Sequence, residues 1–441
     1  MIRRILITLL LAGAGVAQDV ARMEQIVQSY VSDKKFMGTA LVARNGKVLL
    51  SKGYGFADLE WDIPNSPSTK FRLGSITKQF TAACILLLEE RGKLKVEDPV
   101  KKYMPDAPAA WDKITIFNLL THASGIPSFT GFPDYRSTEA TPATPEQLVA
   151  RFRDKPLEFQ PGEKWNYSNY GYVLLGYLIE KISGQSYSDF VQQNIFTPLG
   201  MKDSGYDSNS AIIMHRASGY TQSPGGPVNA GFIHMSIPFS AGALYSTAED
   251  LLRWEEGLFG GKLLSAASLQ KMTTPFKEDY AFGLGVRTVK NHKIIDHGGG
   301  IEGFNTELAY YPDDKLVVAV LGNLNGGAPE AIAAKLAAVA YGETVVLPSE
   351  RKEITVSPKI LASYAGTYEL SPDFSITVKV DGDHLAAQAT NQRELPVFAE
   401  SETMFFYKAV DAQLEFFKND KGEVTHLVLR QGGRETKGVK K

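Results

Sequence analysis

The sequence predicts a mixed α/β (α+β) fold: an antiparallel sheet flanked by helices, with an added helical region, followed by a small all-β barrel domain. Strand patterns occur at both ends of the first region, and apolar helical patterns lie between them. After a charged, proline-bearing stretch the helical signal disappears and short alternating strands follow. A sheet built from distant segments, with helices between them, is typical of a layered sandwich. A length of 441 residues allows two or three domains of this kind.

The first domain is predicted to span residues 18–347. A β-hairpin is expected from residue 38 to residue 55, because two apolar runs flank Asn45-Gly46, a strong hairpin turn signal. Residues 76–91 are apolar almost all round, which indicates a buried helix. Further helices are predicted at residues 171–182, 248–258 and 329–341. Further strands are predicted at residues 283–289, 293–297, 307–311 and 316–321.

A second, smaller domain is predicted after a linker. Residues 348–360 are charged and contain prolines without an apolar period, which favours a linker. Residues 361–441 are predicted to form a small antiparallel barrel or sandwich. Its strands are expected at residues 366–370, 375–380, 384–389, 404–408, 413–417 and 424–429.

Residues 1–17 are predicted to be a secretory signal peptide. Arg3 and Arg4 form a basic start, an apolar run follows, and small residues offer a cleavage site before Gln18. The run is too short for a comfortable membrane span, so we expect an exported protein, periplasmic or secreted, with no stable span after cleavage. An uncleaved N-terminal anchor is the alternative.

Charge and cysteine content exclude several classes of protein. The 47 Lys+Arg against 49 Asp+Glu give a net charge of −2, which does not favour a nucleic-acid partner. The single cysteine excludes a disulfide framework within the chain and zinc sites of the CxxC type. The seven histidines show no H-x-H or H-E-x-x-H spacing, so neither a metal nor another cofactor is predicted.

A nucleophile is first indicated by the S-x-x-K tetrad of Ser75 and Lys78. Ser75 opens the most apolar helix of the chain, where free N–H groups and the helix dipole favour a developing anion. Lys78 lies three residues on, within reach of the hydroxyl, and burial should lower its pKa toward that of a useful base. The alternative is a serine N-cap followed by a surface lysine. Three other S-x-x-K tetrads make the spacing alone weak evidence, at Ser32, Ser268 and Ser349.

Two further motifs support this chemistry. Tyr167-Ser168-Asn169 is the only Tyr-x-Asn of the chain, in a loop that leads into an apolar helix. A tyrosine beside a lysine ammonium can lose part of its phenol pKa and move a proton to or from serine. His297-Gly298-Gly299-Gly300 follows the strand pattern 293–296, and consecutive glycines allow close approach of a substrate backbone and offer N–H donors. The alternatives are an aromatic plug in a loop and a flexible hairpin turn.

In this order, S-x-x-K, Y-x-N and H-G-G resemble the motifs of the penicillin-recognising serine hydrolases, which include class C β-lactamases, DD-peptidases, family VIII esterases and CubicO-group peptidases. The resemblance runs from about residue 38 to residue 323 and includes the segments 120–127 (LTHASGIP) and 241–251 (AGALYSTAEDL). It implies a β-lactamase/DD-peptidase-like fold. The segment 364–368 (YAGTY) resembles the lipocalin-like barrel that follows the catalytic domain in some CubicO-group peptidases.

The resemblance implies a role for each motif residue. Ser75 looks like the acylated nucleophile and Lys78 its partner, while Tyr167 looks like the general base in acylation and the proton donor to the leaving group. Asn169 would bind the substrate amide, and the N–H groups of Ser75 and Gly300 would form the oxyanion hole. His297, Gly298 and Gly299 would complete the substrate-binding edge.

One departure from the β-lactamase pattern bears on specificity. The third motif of β-lactamases is usually Lys-Thr-Gly, whose ammonium and hydroxyl grip a penicillin carboxylate, whereas this chain has His297-Gly298-Gly299. A neutral histidine and a glycine grip a carboxylate less strongly. The resemblance therefore implies a serine hydrolase that favours D-amino-acid peptides or small esters. A true β-lactamase or DD-carboxypeptidase is one alternative, and a non-catalytic penicillin- or peptide-binding module is another. A homo-oligomer is compatible with the sequence.

Overall fold

The computed structural model describes residues 18–431 and 434–441. The predicted signal peptide, residues 1–17, lies outside the described residues. The chain divides into two compact units, one ending at Ala337 and one beginning at Ala338. Among the described residues, no helix combines the length and apolar character that a membrane crossing requires.

The strands and helices of the first unit alternate along the chain. Its strands are β1 (Gly38–Arg44), β2 (Lys47–Tyr54), β3 (Phe56–Asp58), β4 (Ile63–Pro64), β5 (Phe71–Arg72), β6 (Gly205–Tyr206), β7 (Tyr220–Ser223), β8 (Gly226–Asn229), β9 (Leu244–Ser246), β10 (Gly285–Val289), β11 (His292–Ile301), β12 (Phe304–Tyr311) and β13 (Leu316–Gly322). Its helices are α1 (18–32), α2 (Thr77–Glu90), α3 (Ile116–Leu120), α4 (Tyr135–Thr138), α5 (Pro145–Phe152), α6 (Asn169–Ser183), α7 (Tyr187–Val191), α8 (Thr197–Leu199), α9 (Phe239–Gly242), α10 (Ala248–Phe259), α11 (Ala266–Met272) and α12 (Ala328–Ala340), the last of which runs on past Ala337.

The main sheet joins both ends of the first unit, as the sequence predicts. Its order is β10-β11-β12-β13-β1-β2, and every neighbouring pair is antiparallel. The register pairs Gly38 of β1 with Gly322 of β13, so strands far apart in the chain share hydrogen bonds. Asn45 and Gly46 turn β1 into β2 with φ of 50° and 75°, the left-handed conformation that a tight hairpin requires. The predicted fold class is confirmed.

Helix α2 lies at the centre of the helical region. Its residues are buried on every side from Thr77 to Leu88, so the helix has no solvent face. It packs against α6, α7, α9 and α11, while α10 covers β1 and β13 on the sheet. Burial of Lys78 follows directly, because a lysine on a helix enclosed by other helices cannot reach solvent.

Strand β11 is longer than the sequence predicts. The prediction ends it before the glycines, but the strand continues through Gly298, Gly299 and Gly300 to Ile301. These residues stay in register with β12, where Gly300 lies opposite Asn305. The glycines therefore form an extended strand edge, and the hairpin turn follows them.

The second unit is a closed antiparallel barrel of eight strands. They are β14 (Gly366–Ser371), β15 (Phe374–Asp381), β16 (His384–Ala389), β17 (Leu395–Ala399), β18 (Met404–Tyr407), β19 (Ala412–Lys418), β20 (Val424–Gln431) and β21 (Arg434–Lys440). Six of them match the predicted strands. β17 and β21 were missed, and β21 is the strand that pairs with β14 and closes the barrel.

A short helix, α13 (Pro358–Tyr364), lies where the sequence predicts the end of the linker. Its Tyr364 is fully buried and stacks on Phe416 of β19, with ring centroids 4.2 Å apart. Upstream, the N–H of Ile354 donates to Ala399 O at 2.9 Å, so part of the predicted linker is attached to the barrel. This segment has no helical or alternating pattern because it packs on the barrel through a few isolated side chains.

Candidate active site

Ser75 lies in a 3₁₀ turn, Gly74–Ile76, that leads directly into α2. The turn places the Ser75 hydroxyl one helical turn before Lys78, and the Lys78 Nζ lies 3.0 Å from the Ser75 Oγ. The structure thus brings together the two residues that the S-x-x-K spacing suggests.

Lys78 is fully buried, with three polar neighbours around its amine. Besides Ser75, its Nζ lies 2.9 Å from Asn169 Oδ1 and 2.9 Å from the backbone oxygen of Ala241 in α9. No carboxylate is among these partners, so burial is uncompensated and lowers the pKa of Lys78 well below its ordinary value. The direction of the predicted shift is confirmed.

Tyr167 packs against both the lysine and a histidine. Lys78 Nζ lies 4.9 Å from the centroid of its ring, and the ring of His122 lies 4.3 Å away, centroid to centroid. Burial raises the pKa of Tyr167 above its ordinary value, so the lowered phenol pKa that the sequence suggests is wrong. The Ser75 hydroxyl lowers the pKa of the Tyr167 phenol in part. Burial is the larger of the two effects on this phenol.

Asn169 begins α6 and points back toward Lys78. Its Oδ1 accepts from the lysine, and its Nδ2 donates to Ser128 Oγ at 3.3 Å. Ser128 also accepts from the Asn169 backbone N–H at 3.2 Å, so this serine holds the side chain and the main chain of Asn169 together. Ser128 was missed by the sequence analysis, since nothing in its spacing distinguishes it from other loop serines.

His297 is held at both ring nitrogens. Its Nδ1 lies 2.6 Å from the backbone oxygen of Gly298, and its Nε2 lies 3.0 Å from the hydroxyl of Tyr280. Burial, aided by the nearby Lys78, lowers the pKa of His297 to about 4. The imidazole is therefore neutral at pH 7, in agreement with the prediction that this motif lacks a fixed positive charge.

The glycines of β11 lie directly against the Ser75 turn. A Cβ added to Gly299 would lie 1.9 Å from Leu73 O, and one added to Gly74 would lie 2.8 Å from the Gly300 nitrogen. Neither position tolerates a side chain, because the two backbones touch. The Gly300 nitrogen is consequently next to the turn that carries Ser75.

A cleft of about 670 Å³ opens above these groups. Ser75, Asn169 and Gly300 line its floor, and the loop around Phe129 and Arg136 lines one wall. Apart from two charged side chains, its walls are largely aromatic, aliphatic and backbone groups. The charged pair is Arg136 and Glu302, whose atoms lie 3.2 Å apart.

The other S-x-x-K tetrads have exposed lysines, and Lys352, which follows Ser349, is one of them. Lys271 follows Ser268 on α11, but its side chain is 44 % exposed and pairs with Glu89 at 2.9 Å. Lys35, after Ser32, is 42 % exposed and pairs with Asp33. A solvated, charged lysine does not serve as a base, so the surroundings distinguish the Ser75 tetrad.

Two residues joined to this site were not assigned a role from the sequence. His122 belongs to the segment 120–127 that carries part of the resemblance, and this was a usable signal. Tyr280 gave no signal, because it lies in an irregular stretch before β10. Among residues 18–431 and 434–441, no cluster of three or more His, Cys, Asp or Glu has a geometry that could hold a metal ion.

Comparison with known proteins identifies the family of the chain. The β-lactamase family matches residues 23–342, so the chain belongs to the β-lactamase family. A domain of unknown function, DUF3471, matches residues 350–439.

Relatives resemble the chain over both units or over the first alone. Penicillin-binding protein 4* of Bacillus subtilis is 28 % identical, and the match covers 94 % of this chain and 97 % of that protein. An octameric penicillin-binding protein homologue from Pyrococcus abyssi is 28 % identical, with a TM-score of 0.69, and the match covers 96 % and 100 % of the two chains. A D-stereospecific amidohydrolase from Streptomyces sp. is 28 % identical, with a TM-score of 0.59, over 69 % and 94 %.

Proposed function

We propose that the protein is an exported serine hydrolase that cleaves amide or ester bonds through an acyl-enzyme on Ser75, with D-amino-acid peptides or small esters as favoured substrates. The observation that carries the proposal is the contact of a fully buried Lys78 amine with the Ser75 hydroxyl at 3.0 Å. A serine hydroxyl is a weak nucleophile until a neighbouring base takes its proton, and this lysine is placed and desolvated for that task.

The three contacts of Lys78 fit a neutral amine. A neutral amine has two N–H donors and one lone pair. The acceptors Asn169 Oδ1 and Ala241 O take the two N–H groups, and both are oxygens that carry no proton of their own. The Lys78 Nζ also donates to Ser75 Oγ in the structure. In the neutral amine the lone pair takes the place of this third N–H group, and the Ser75 hydroxyl donates to it. We therefore assign the general base of acylation to Lys78.

Tyr167 is assigned the complementary role. Its raised pKa keeps the phenol protonated, so it serves as a proton donor and not as the base that the resemblance implies. In acylation a bond forms between Ser75 Oγ and the substrate carbonyl carbon, and the bond to the leaving amine or alcohol breaks. Lys78 receives the serine proton, Tyr167 gives its own proton to the leaving group, and Lys78 then reprotonates Tyr167. In the second half-reaction, water hydrolyses the acyl-enzyme ester on Ser75 and restores the serine hydroxyl.

Charge development on the substrate oxygen would be met by two backbone donors. The N–H groups of Ser75 and Gly300 come from the 3₁₀ turn and from β11, which the glycine contacts hold together. Donors fixed before the reaction need no reorganisation when the oxyanion forms, and removing one such donor costs about 10²–10³ in kcat in other acyl-transfer enzymes.

The substrate preference rests on His297. A neutral imidazole whose two nitrogens are both occupied offers no cation to a substrate carboxylate. The D-stereospecific amidohydrolase among the similar structures supports an amide substrate of D configuration.

Export is supported by the pattern of residues 1–17. Because one similar structure is an octamer, the oligomeric state of this protein should be measured by light scattering.

One purified batch tests the proposal. A fluorophosphonate probe should add mass to the single peptide that contains Ser75, and Ser75→Ala should remain folded while losing nearly all turnover. Ser268→Ala is the matched control, because it removes the serine of another S-x-x-K tetrad. Turnover of nitrocefin, p-nitrophenyl esters and D-amino-acid p-nitroanilides then ranks the substrates. Labelling at another serine would refute the nucleophile, and binding without turnover of any substrate would favour a non-catalytic module.

A further inference from the structure

His122 holds the loop of Tyr167 from both sides. Its backbone oxygen accepts from the N–H of Asn166 at 3.0 Å, and its ring Nδ1 accepts from the N–H of Ser168 at 3.1 Å. These are the two residues that flank Tyr167. The His122 ring also packs on the Tyr167 ring, with centroids 4.3 Å apart. One residue thus fixes the peptide groups on either side of the tyrosine and one face of its ring.

The backbone of His122 is in an unusual conformation. Its φ is 55°, in the left-handed region that few residues other than glycine and asparagine adopt. Such strain persists only where the surrounding structure holds it, and it clusters at functional sites. In this conformation the carbonyl and the ring of one residue both point toward the Tyr167 loop.

The hydrogen bonds continue from His122 to β11 in one direction only. A backbone N–H can only donate, so His122 Nδ1 carries no proton, and its proton is on Nε2. That Nε2–H faces the hydroxyl of Tyr280 at 3.2 Å, and the hydroxyl in turn faces His297 Nε2 at 3.0 Å. The proton of His297 is then on Nδ1, which donates to the Gly298 oxygen.

This hydrogen-bonded chain begins and ends at peptide groups, and its ends determine whether it can carry a proton. A peptide N–H at one end and a peptide C=O at the other cannot exchange roles, so the chain cannot reverse and carry a proton across the site. Its effect is mechanical: it joins the Tyr167 loop to the strand that carries Gly300. Both imidazoles remain neutral, since a second proton on either would require a hydrogen bond to break.

We infer that His122 and Tyr280 are positioning residues that hold Tyr167 against β11 through a hydrogen-bonded chain of fixed direction. The inference rests on the proposed function, in which Tyr167 delivers a proton to the leaving group. A proton donor displaced by about 1 Å can cost on the order of 10²-fold in rate without changing substrate affinity.

Substitutions of His122 separate positioning from folding. Asparagine tolerates the left-handed backbone, and its amide oxygen can replace Nδ1 as the acceptor for Ser168. His122→Ala should therefore lower kcat about 10²-fold with KM nearly unchanged, whereas His122→Asn, which restores the acceptor for Ser168 but not the bond to Tyr280, should lower kcat less. His215→Ala is the control, because His215 is exposed and has a comparable φ of 62°, so it tests the loss of a left-handed histidine outside the cleft.

Tyr280→Phe tests the link to β11, since it removes one hydroxyl and keeps the ring. Tyr280→Phe should lower kcat with KM unchanged. If the two residues act through one hydrogen-bonded chain, the double variant with His122→Ala should have a kcat little below that of His122→Ala alone. Thermal melts of every variant identify losses that come from unfolding. Equal kcat in His122→Ala and His215→Ala, with both folded, would overturn the inference.

The tautomers provide a readout that does not depend on catalysis. ¹⁵N-edited NMR of the imidazoles should show His122 with its proton on Nε2 and His297 with its proton on Nδ1, both neutral at pH 7. The opposite tautomer at either residue would overturn the chain. If the probe fails to label Ser75 while these tautomers are found, the proposed function fails and the chain stands. If Ser75 is labelled and the tautomers differ from those expected, the proposed function stands and the hydrogen-bonded chain is refuted.

Discussion

The Nζ of Lys78, which is fully buried in α2, lies 3.0 Å from the Oγ of Ser75, which lines the cleft. A lysine ammonium in this position would be desolvated without a counter-ion, so the neutral amine is favoured and its lone pair faces the hydroxyl. The pair has the arrangement of a nucleophile and its base, because the two residues lie one helical turn apart and the buried amine adjoins a hydroxyl that lines the cleft.

Acylation should depend on the neutral form of Lys78. Because its pKa is lowered, the base form is present above that lowered value, and the rate of acylation should rise with pH and then level off. Lys78→Arg keeps a fixed positive charge at this position and should reduce acylation by about 10²–10⁴-fold. Stopped-flow labelling with a p-nitrophenyl ester measures it, and Lys271→Arg, in an exposed tetrad, is the control. Retention of full acylation by Lys78→Arg would contradict the assignment.

Substrate charge preference should depend on His297. His297→Lys with Gly298→Thr introduces the cation and the hydroxyl of the β-lactamase motif, and a charged contact to a carboxylate contributes roughly 1.5–3 kcal/mol, or about one to two decades. A Cβ at Gly298 would lie 3.0 Å from Glu307 Oε2, so the threonine requires this carboxylate to shift by a few tenths of an ångström. The ratio of kcat/KM for nitrocefin to that for a neutral ester should rise. An unchanged ratio would show that this position does not read substrate charge.

Stability should fall in mild acid. Burial lowers the pKa of His297 to about 4 and that of His122 well below its ordinary 6.5. Between pH 6.5 and pH 4 the unfolded chain binds protons at these histidines while the folded protein does not, so the free energy of unfolding decreases as the pH falls. Each such group contributes a slope of about 1.4 kcal/mol per pH unit. Chemical denaturation from pH 7 to pH 4 measures the slope, which should be smaller in His297→Asn; an equal slope in that variant would mean that other groups cause the loss.

The two units should fold separately. The core of the first unit and the core around Tyr364 and Phe416 share no residue, and residues 351–356 belong with the barrel. A chain that ends at Leu347 should therefore be soluble, melt cooperatively and still label at Ser75. A fragment from Pro348 to Lys441 should show the far-UV spectrum of a β protein. Aggregation of the shorter catalytic fragment would indicate that the two units depend on each other for folding.

Local patterns in the sequence determined most elements and the chemical class of the site. Asn45-Gly46 specified a hairpin, the apolar run of residues 76–91 specified a buried helix, and the position of Ser75 at its start predicted a nucleophile. These features are determined by residues that lie close together in the sequence. Turn and helix propensities report on the same short segments, so the sequence was sufficient to predict them. β17 and β21 carried no comparable signal, because a short barrel strand is stabilised by its partners on both sides more than by its own pattern.

The proton assignments were decided only by tertiary structure. Burial by segments from elsewhere in the chain raises the pKa of Tyr167 and lowers the pKa of Lys78. The chain from Ser168 through His122 and Tyr280 to His297 likewise joins residues that no sequence spacing relates. A pKa and a hydrogen-bond direction are properties of an enclosed environment, and that environment exists only once distant segments have packed together.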